Sequence, residues 1–105
     1  MDITQLVFVG LNGYVAALNR ESGEIVWSND KLKSGRVSLL LDGDRLIAAI
    51  NGYLYCLDPL TGDLLWENPL HGYGLGVAHL ASCRGQSDQT FVQYAAEEDG
   101  QASSG

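Results

Sequence analysis

Positive charge is the first thing this sequence has little of. Six Lys and Arg stand against thirteen Asp and Glu, for a net charge of −7. Nucleic acid and anionic membrane surfaces both need clustered basic residues, so neither is expected as a partner. Long hydrophobic runs are missing too. None approaches the roughly 18 residues that a membrane-crossing helix needs. Cysteine is limited to Cys56 and Cys83, too few and too unevenly placed for a disulfide framework. Metal and catalytic constellations are absent: His71 and His79 have no partners at ligand spacing, and no G-x-S-x-G or H-E-x-x-H occurs. No catalytic residue, metal site or cofactor is expected, and the chain is not read as an enzyme. The first residues carry no basic n-region or small-residue cleavage site. The expected compartment is cytoplasmic as written, or an exported one where a signal segment has been removed.

What is present is glycine, thirteen of them against two prolines, in a chain of 105 residues that is 46% hydrophobic and 18% charged. That balance is ordinary for a folded domain and wrong for a disordered one. The glycines fall in turn signals that recur about every 8–10 residues, too closely for ordinary helices. Between them lie short apolar runs: 6–11, 14–18, 24–28, 36–41, 44–50, 53–57 and 63–67. Asn12-Gly13, Asp42-Gly43 and Asn51-Gly52 are hairpin signals, because a two-residue type I′ turn needs positive φ at both central positions. The reading is all-β.

The chain also repeats itself. Asn12, Gly13, Tyr14, Leu18, Gly23 and Trp27 return as Asn51, Gly52, Tyr53, Leu57, Gly62 and Trp66, always 39 residues on. Asn19/Asp58, Ser22/Thr61, Glu24/Asp63 and Ile25/Leu64 recur in kind. A period of this length signals a repeat architecture. Cys56 stands where the first copy has Ala17, the place of a small buried side chain.

The core Asp58-x-x-Thr61-Gly62-x-x-x-Trp66, with its variant Asn19-x-x-Ser22-Gly23-x-x-x-Trp27, resembles the repeat of the pyrroloquinoline-quinone-type β-propellers. The resemblance is good over residues 6–81. It implies four-stranded antiparallel blades, strands A to D from the inside out, with the motif spanning strands C and D. Residues 6–28 would be a partial blade lacking A, 36–67 a full blade, and 74–95 the start of another. Residues 74–81 would then be an inner A strand and 90–94 a further B strand, with 96–105 a flexible tail. The quinone-binding branch of that family holds its cofactor near adjacent cysteines, and this chain has none.

Gly13, Gly23, Trp27, Gly52, Gly62 and Trp66 are expected to be structural anchors, the tryptophans largely buried between blades. The glycines of His71-Gly-Tyr-Gly-Leu-Gly76 lack the strand-before, helix-after context of a phosphate cradle. They read as the passage from one blade to the next. Lys33, Arg36, His71 and Tyr73 are the candidate ligand-contacting residues, on the rim where B–C turns and D–A connections meet. The expected function is a non-enzymatic interaction or scaffold module. The alternatives are a ring binding a quinone or other small ligand, or a truncated fragment of a longer propeller. The partner is expected to be another protein or a further copy of the chain, joined head to tail. With propellers of roughly 4–8 blades, two per chain favours a trimer or a tetramer.

Overall fold

Asparagine–glycine pairs set the local geometry. In the computed structural model, which describes residues 1–84 and 86–87, Asn12 and Gly13 sit at φ 52° and 82°. They close a hairpin between β1, Leu6–Leu11, and β2, Tyr14–Asn19. Asn51 and Gly52, at φ 49° and 90°, do the same between β5, Arg45–Ile50, and β6, Tyr53–Leu57. Both pairs have the two positive φ values of a type I′ turn, whose twist matches that of the strands. Strand β3, Ile25–Asn29, completes the first sheet, in the order β1-β2-β3. In the second, β4, Val37–Asp42, and β7, Leu64–Asn68, flank the β5–β6 hairpin in a four-stranded meander. A two-residue strand β8, Gln86–Ser87, adds to the free edge of β4. The fold is all-β, two successive propeller blades, the first without an inner strand.

The repeated turn explains its own residue choice. Asn19 Oδ1 accepts from the Glu21 N–H at 2.8 Å and Asp58 Oδ1 from the Leu60 N–H at 2.9 Å. The hydroxyls of Ser22 and Thr61 accept from the N–H two residues on, both at 3.2 Å. The carbonyls of Asn19 and Asp58 each receive the turn-closing glycine N–H at 2.7 Å. Short polar side chains capping nearby N–H groups are what make such turns. A β-bulge lies beside each at the same place, the register shifting between Ala17 and Leu18 and between Cys56 and Leu57.

Alternation then builds the core. Leu6, Val15, Ala17 and Trp27 of the first blade meet Leu46, Ala48, Ile50, Tyr55 and Leu57 of the second, with Phe8, Val37, Leu39 and Tyr53 packed around them. The core thus lies between the blades rather than within either. Cys56 is fully buried, as the small residue replacing Ala17 should be. Gly10 has no side chain because Val37 occupies that space.

Two expectations are corrected. Residues 74–81 do not form a strand. The segment runs past Gly52, whose Cβ position lies 2.9 Å from Leu75 Cδ2, and along Ala49. Among the described residues no strand lies beside it to complete a ladder. Trp66 is not largely buried but 46% exposed, against 9% for Trp27. The neighbouring turn that covers Trp27 has no counterpart over Trp66 among the described residues. The strand expected at 90–94 and the tail 96–105 lie outside the described residues.

The two motif glycines, alike in sequence, differ in surroundings. Gly23 at φ 78° and Gly62 at φ 81° share a backbone conformation, but Gly23 has nothing within 4 Å of its Cβ position, while that of Gly62 overlaps the Trp27 ring. Gly23→Ala is expected to cost about 1–2 kcal/mol, from backbone strain alone. Gly62→Ala should cost roughly 3–5 kcal/mol, because strain and overpacking add. Urea unfolding in dilute solution measures both, and equal losses would contradict this packing.

Candidate interaction surface

Apolar residues on a sheet face are hidden only if something packs on that face. Between the two blades that condition is met by a specific lock. The Trp27 ring lies on Gly62, and its indole N–H donates to the Pro59 carbonyl at 2.8 Å. Two residues on, Asn29 Nδ2 donates to the Gly62 carbonyl at 2.8 Å. A buried ring whose N–H finds an acceptor is the stable arrangement for tryptophan. A polar cleft of about 300 Å³ runs beside this contact, lined by 28–32 and 61–64. Sequence reading passed over Asn29. The signal was its recurrence as Asn68, at the same offset as the tryptophans.

Apolar residues are exposed on the outer side of each blade. On the first blade, Val7, Val9 and Leu11 alternate outward along β1. Tyr14, paired with Leu11, extends the same exposed face onto β2. On the second blade every residue of β7 is exposed; Leu64 lines the cleft between the blades, and Trp66 lies on the side away from the first blade. Contiguous apolar exposure of this kind marks an interaction site in a folded protein.

The rim joins turns to connections by close approach. The Cβ position of Gly13 lies 2.6 Å from the Lys33 carbonyl oxygen, that of Gly35 lies 3.4 Å from Asn51 Cβ, and that of Gly52 lies 3.0 Å from the Gly74 carbonyl oxygen. Lys33 Nζ stands 4.2 Å over the Tyr53 ring, a cation–π contact. The Lys33 N–H donates to the Tyr55 hydroxyl at 3.2 Å. Tyr53 and Tyr55 stack with centroids 6.0 Å apart. Tyr73 shares a cleft of about 190 Å³ with Tyr53, Leu75 and Val77. Arg36 lines a different cleft, of about 390 Å³, with Gly10, Leu11 and Asn12. His71 is exposed and lines neither. The structure thus links Lys33 to Tyr73 through Tyr53, and leaves Arg36 and His71 apart from them.

Burial pushes the Tyr55 phenol above its ordinary value, the hydrogen bond from Lys33 partly opposing it. Burial likewise raises the Cys56 thiol, which keeps it protonated and unreactive. Among the described residues no helix is long and apolar enough to cross a membrane.

Residues 11–102 match the family model described as outer membrane protein assembly factor BamB. Among solved structures, BamB from Moraxella catarrhalis is similar at 26% identity with a TM-score of 0.55, over 61% of this chain. The match spans 20% of that protein, so the chain corresponds to about a fifth of it. No curated protein matches the sequence.

Two outcomes test this surface. Trp27→Ala is expected to cost about 3–5 kcal/mol, as large-to-small core changes do. Trp66→Ala should cost only about 1–2 kcal/mol in dilute solution, since half its ring is already wet. Comparable losses would mean that the second blade is covered. Alkaline stability tests Tyr55. Its folded pKa is raised, so its contribution is whole below the unfolded value near 10.0. That contribution falls as pH rises above the unfolded value and stops falling once folded Tyr55 ionises. The difference in stability between wild type and Tyr55→Phe should therefore shrink with rising pH, and a constant difference would contradict the burial.

Proposed function

This chain belongs to the family of outer membrane protein assembly factor BamB, and on that footing we propose that it is a non-enzymatic protein-interaction or scaffold module. The observation that carries the reading is apolar exposure on the outer side of both blades, Val7, Val9, Leu11 and Tyr14 on the first and Trp66 on the second. Exposed sheet faces and edges recruit other protein surfaces. A further copy of the chain is the partner of choice, stacking head to tail into a trimer or tetramer of blades. Lys33, Arg36, His71 and Tyr73 are the rim residues through which a bound protein is contacted. The family's name, that of an outer membrane assembly factor, favours an exported compartment.

Native mass spectrometry of the purified chain at micromolar concentration tests the reading. A species of three or four chains is expected, and a monomer at every concentration would overturn self-association. A second measurement separates a scaffold from a ligand-binding ring. Adding pyrroloquinoline quinone and calcium should leave the melting temperature unchanged, whereas a clear rise would favour the small-ligand reading.

A further inference from the structure

The 39-residue offset carries the internal lock onto the two open faces of the chain. Trp66 and Asn68 stand where Trp27 and Asn29 stand in the first blade. Asn68 Oδ1 accepts from the Leu70 N–H at 2.9 Å, as Asn29 Oδ1 accepts from the Lys31 N–H at 2.9 Å. The two asparagines therefore share this side-chain bond, although the chain beyond differs, with Leu70 at φ 50° where Lys31 is not left-handed. Among the described residues, nothing accepts from Trp66 Nε1 or from Asn68 Nδ2.

The complementary half of the lock lies at the other end of the chain. The turn at 19–23 shares with the turn at 58–62 the side-chain bond to the second residue on, the hydroxyl bond and the closing glycine N–H bond. It differs in that the Ser22 N–H donates to Asn19 Oδ1 while the Thr61 N–H donates to the Asp58 carbonyl. Arg20 occupies the place of Pro59, and Gly23 that of Gly62. The Arg20 guanidinium is turned to Glu21 and to the Thr4 carbonyl. Gly23 has its left-handed backbone and open space over its Cβ position, which is the space that the Trp27 ring fills at Gly62.

We propose that a second copy of this chain docks head to tail through this lock. The Trp66 ring of one copy lies on Gly23 of the next, its indole N–H donates to the Arg20 carbonyl, and Asn68 Nδ2 donates to the Gly23 carbonyl. The inference rests on the self-association reading above and gives it a contact. A second copy, rather than an unrelated protein, is the occupant because Trp66 with Asn68 on one side and the turn at 19–23 on the other repeat the two halves of a contact the chain already makes internally. The same docking sets the Val7–Tyr14 face against the second blade and brings β1 toward residues 74–81, the segment left without a ladder. The contact is heterologous, so repetition leads to a ring where the rotation closes.

Complementation tests it. Trp66→Ala removes one half of the lock and leaves the Gly23 half intact. Gly23→Asn removes the other, because asparagine tolerates the left-handed backbone while its side chain fills the space over the turn. Each variant alone is expected to be monomeric by native mass spectrometry, its association weakened by roughly thirtyfold or more, as loss of a tryptophan anchor implies. Each should keep the wild-type β-sheet circular dichroism. An equimolar mixture retains one intact junction, and should give a species of two chains and nothing larger. If wild type assembles and the variants keep its mass, the lock is wrong while self-association stands. If the variants are monomeric but their mixture is too, the lock is also overturned. A wild-type monomer at every concentration removes both readings and leaves the face to another occupant.

Discussion

The seating of Trp27 on the turn of the following blade is the constraint on which the rest of this structure depends. In the outer strand β3 it is the one buried residue, so β3 is held by its ladder to β2 and by this ring. The same ring dictates glycine at position 62, where any side chain would overlap it. It dictates the orientation of the Pro59 carbonyl, which must face the indole N–H. One side chain thus fixes how two sheets meet, and the distance between them sets which core residues touch. A ring of this size buries on the order of 150–250 Å², worth roughly 4–6 kcal/mol at the usual area coefficient.

A two-blade stack built this way is asymmetric. Each blade offers a ring on one face and a turn on the other, so only the middle contact of the chain is satisfied internally. The outer faces are not merely apolar. In the docking proposed above they are the two halves of one joint, another instance of which is already assembled inside the molecule. This is the physical content of belonging to a repeat family: stability resides in contacts between units rather than within them. A fold of this kind treats a neighbouring blade as part of its core, whichever chain supplies it.

The local structure was largely legible in the sequence. Positive φ at Gly13 and Gly52 and the left-handed Gly62 follow from turn chemistry that involves a few adjacent residues. The strands and the place of Cys56 follow from alternation and from the repeat. What failed was whatever depends on a neighbour. Trp66 has the same sequence context as Trp27, and its exposure differs because no turn covers it among the described residues. Residues 74–81 have the composition of an inner strand, but a strand is a relation between two segments, and the second is missing from the described residues. The rim candidates fared in the same way. The propeller resemblance put Lys33, Arg36, His71 and Tyr73 on one rim, yet side-chain direction divided them, and Tyr53 as the bridge between Lys33 and Tyr73 had been read only as a repeat position. Asn29 was overlooked because polar residues at strand ends are common, and its significance lies in where its amide reaches.

The meander topology has a kinetic consequence. Every strand pair from β1 to β3 and from β4 to β7 joins neighbours in sequence, so the loops that must close are short. Hairpins of this kind form within microseconds or so. The joint between the blades spans more chain: the indole of Trp27 meets a carbonyl 32 residues away. Loop closure delays such a contact, so each blade can be largely paired before the two dock. During that interval the apolar faces of both blades are bare, and the tryptophan of one chain meets the turn of its own second blade in competition with the turns of other chains. Intramolecular docking wins at low concentration because the connection at residues 30–36 is short, which keeps the effective concentration of its own partner high. At high concentration during refolding, the same geometry makes exchange of blades between chains the natural error.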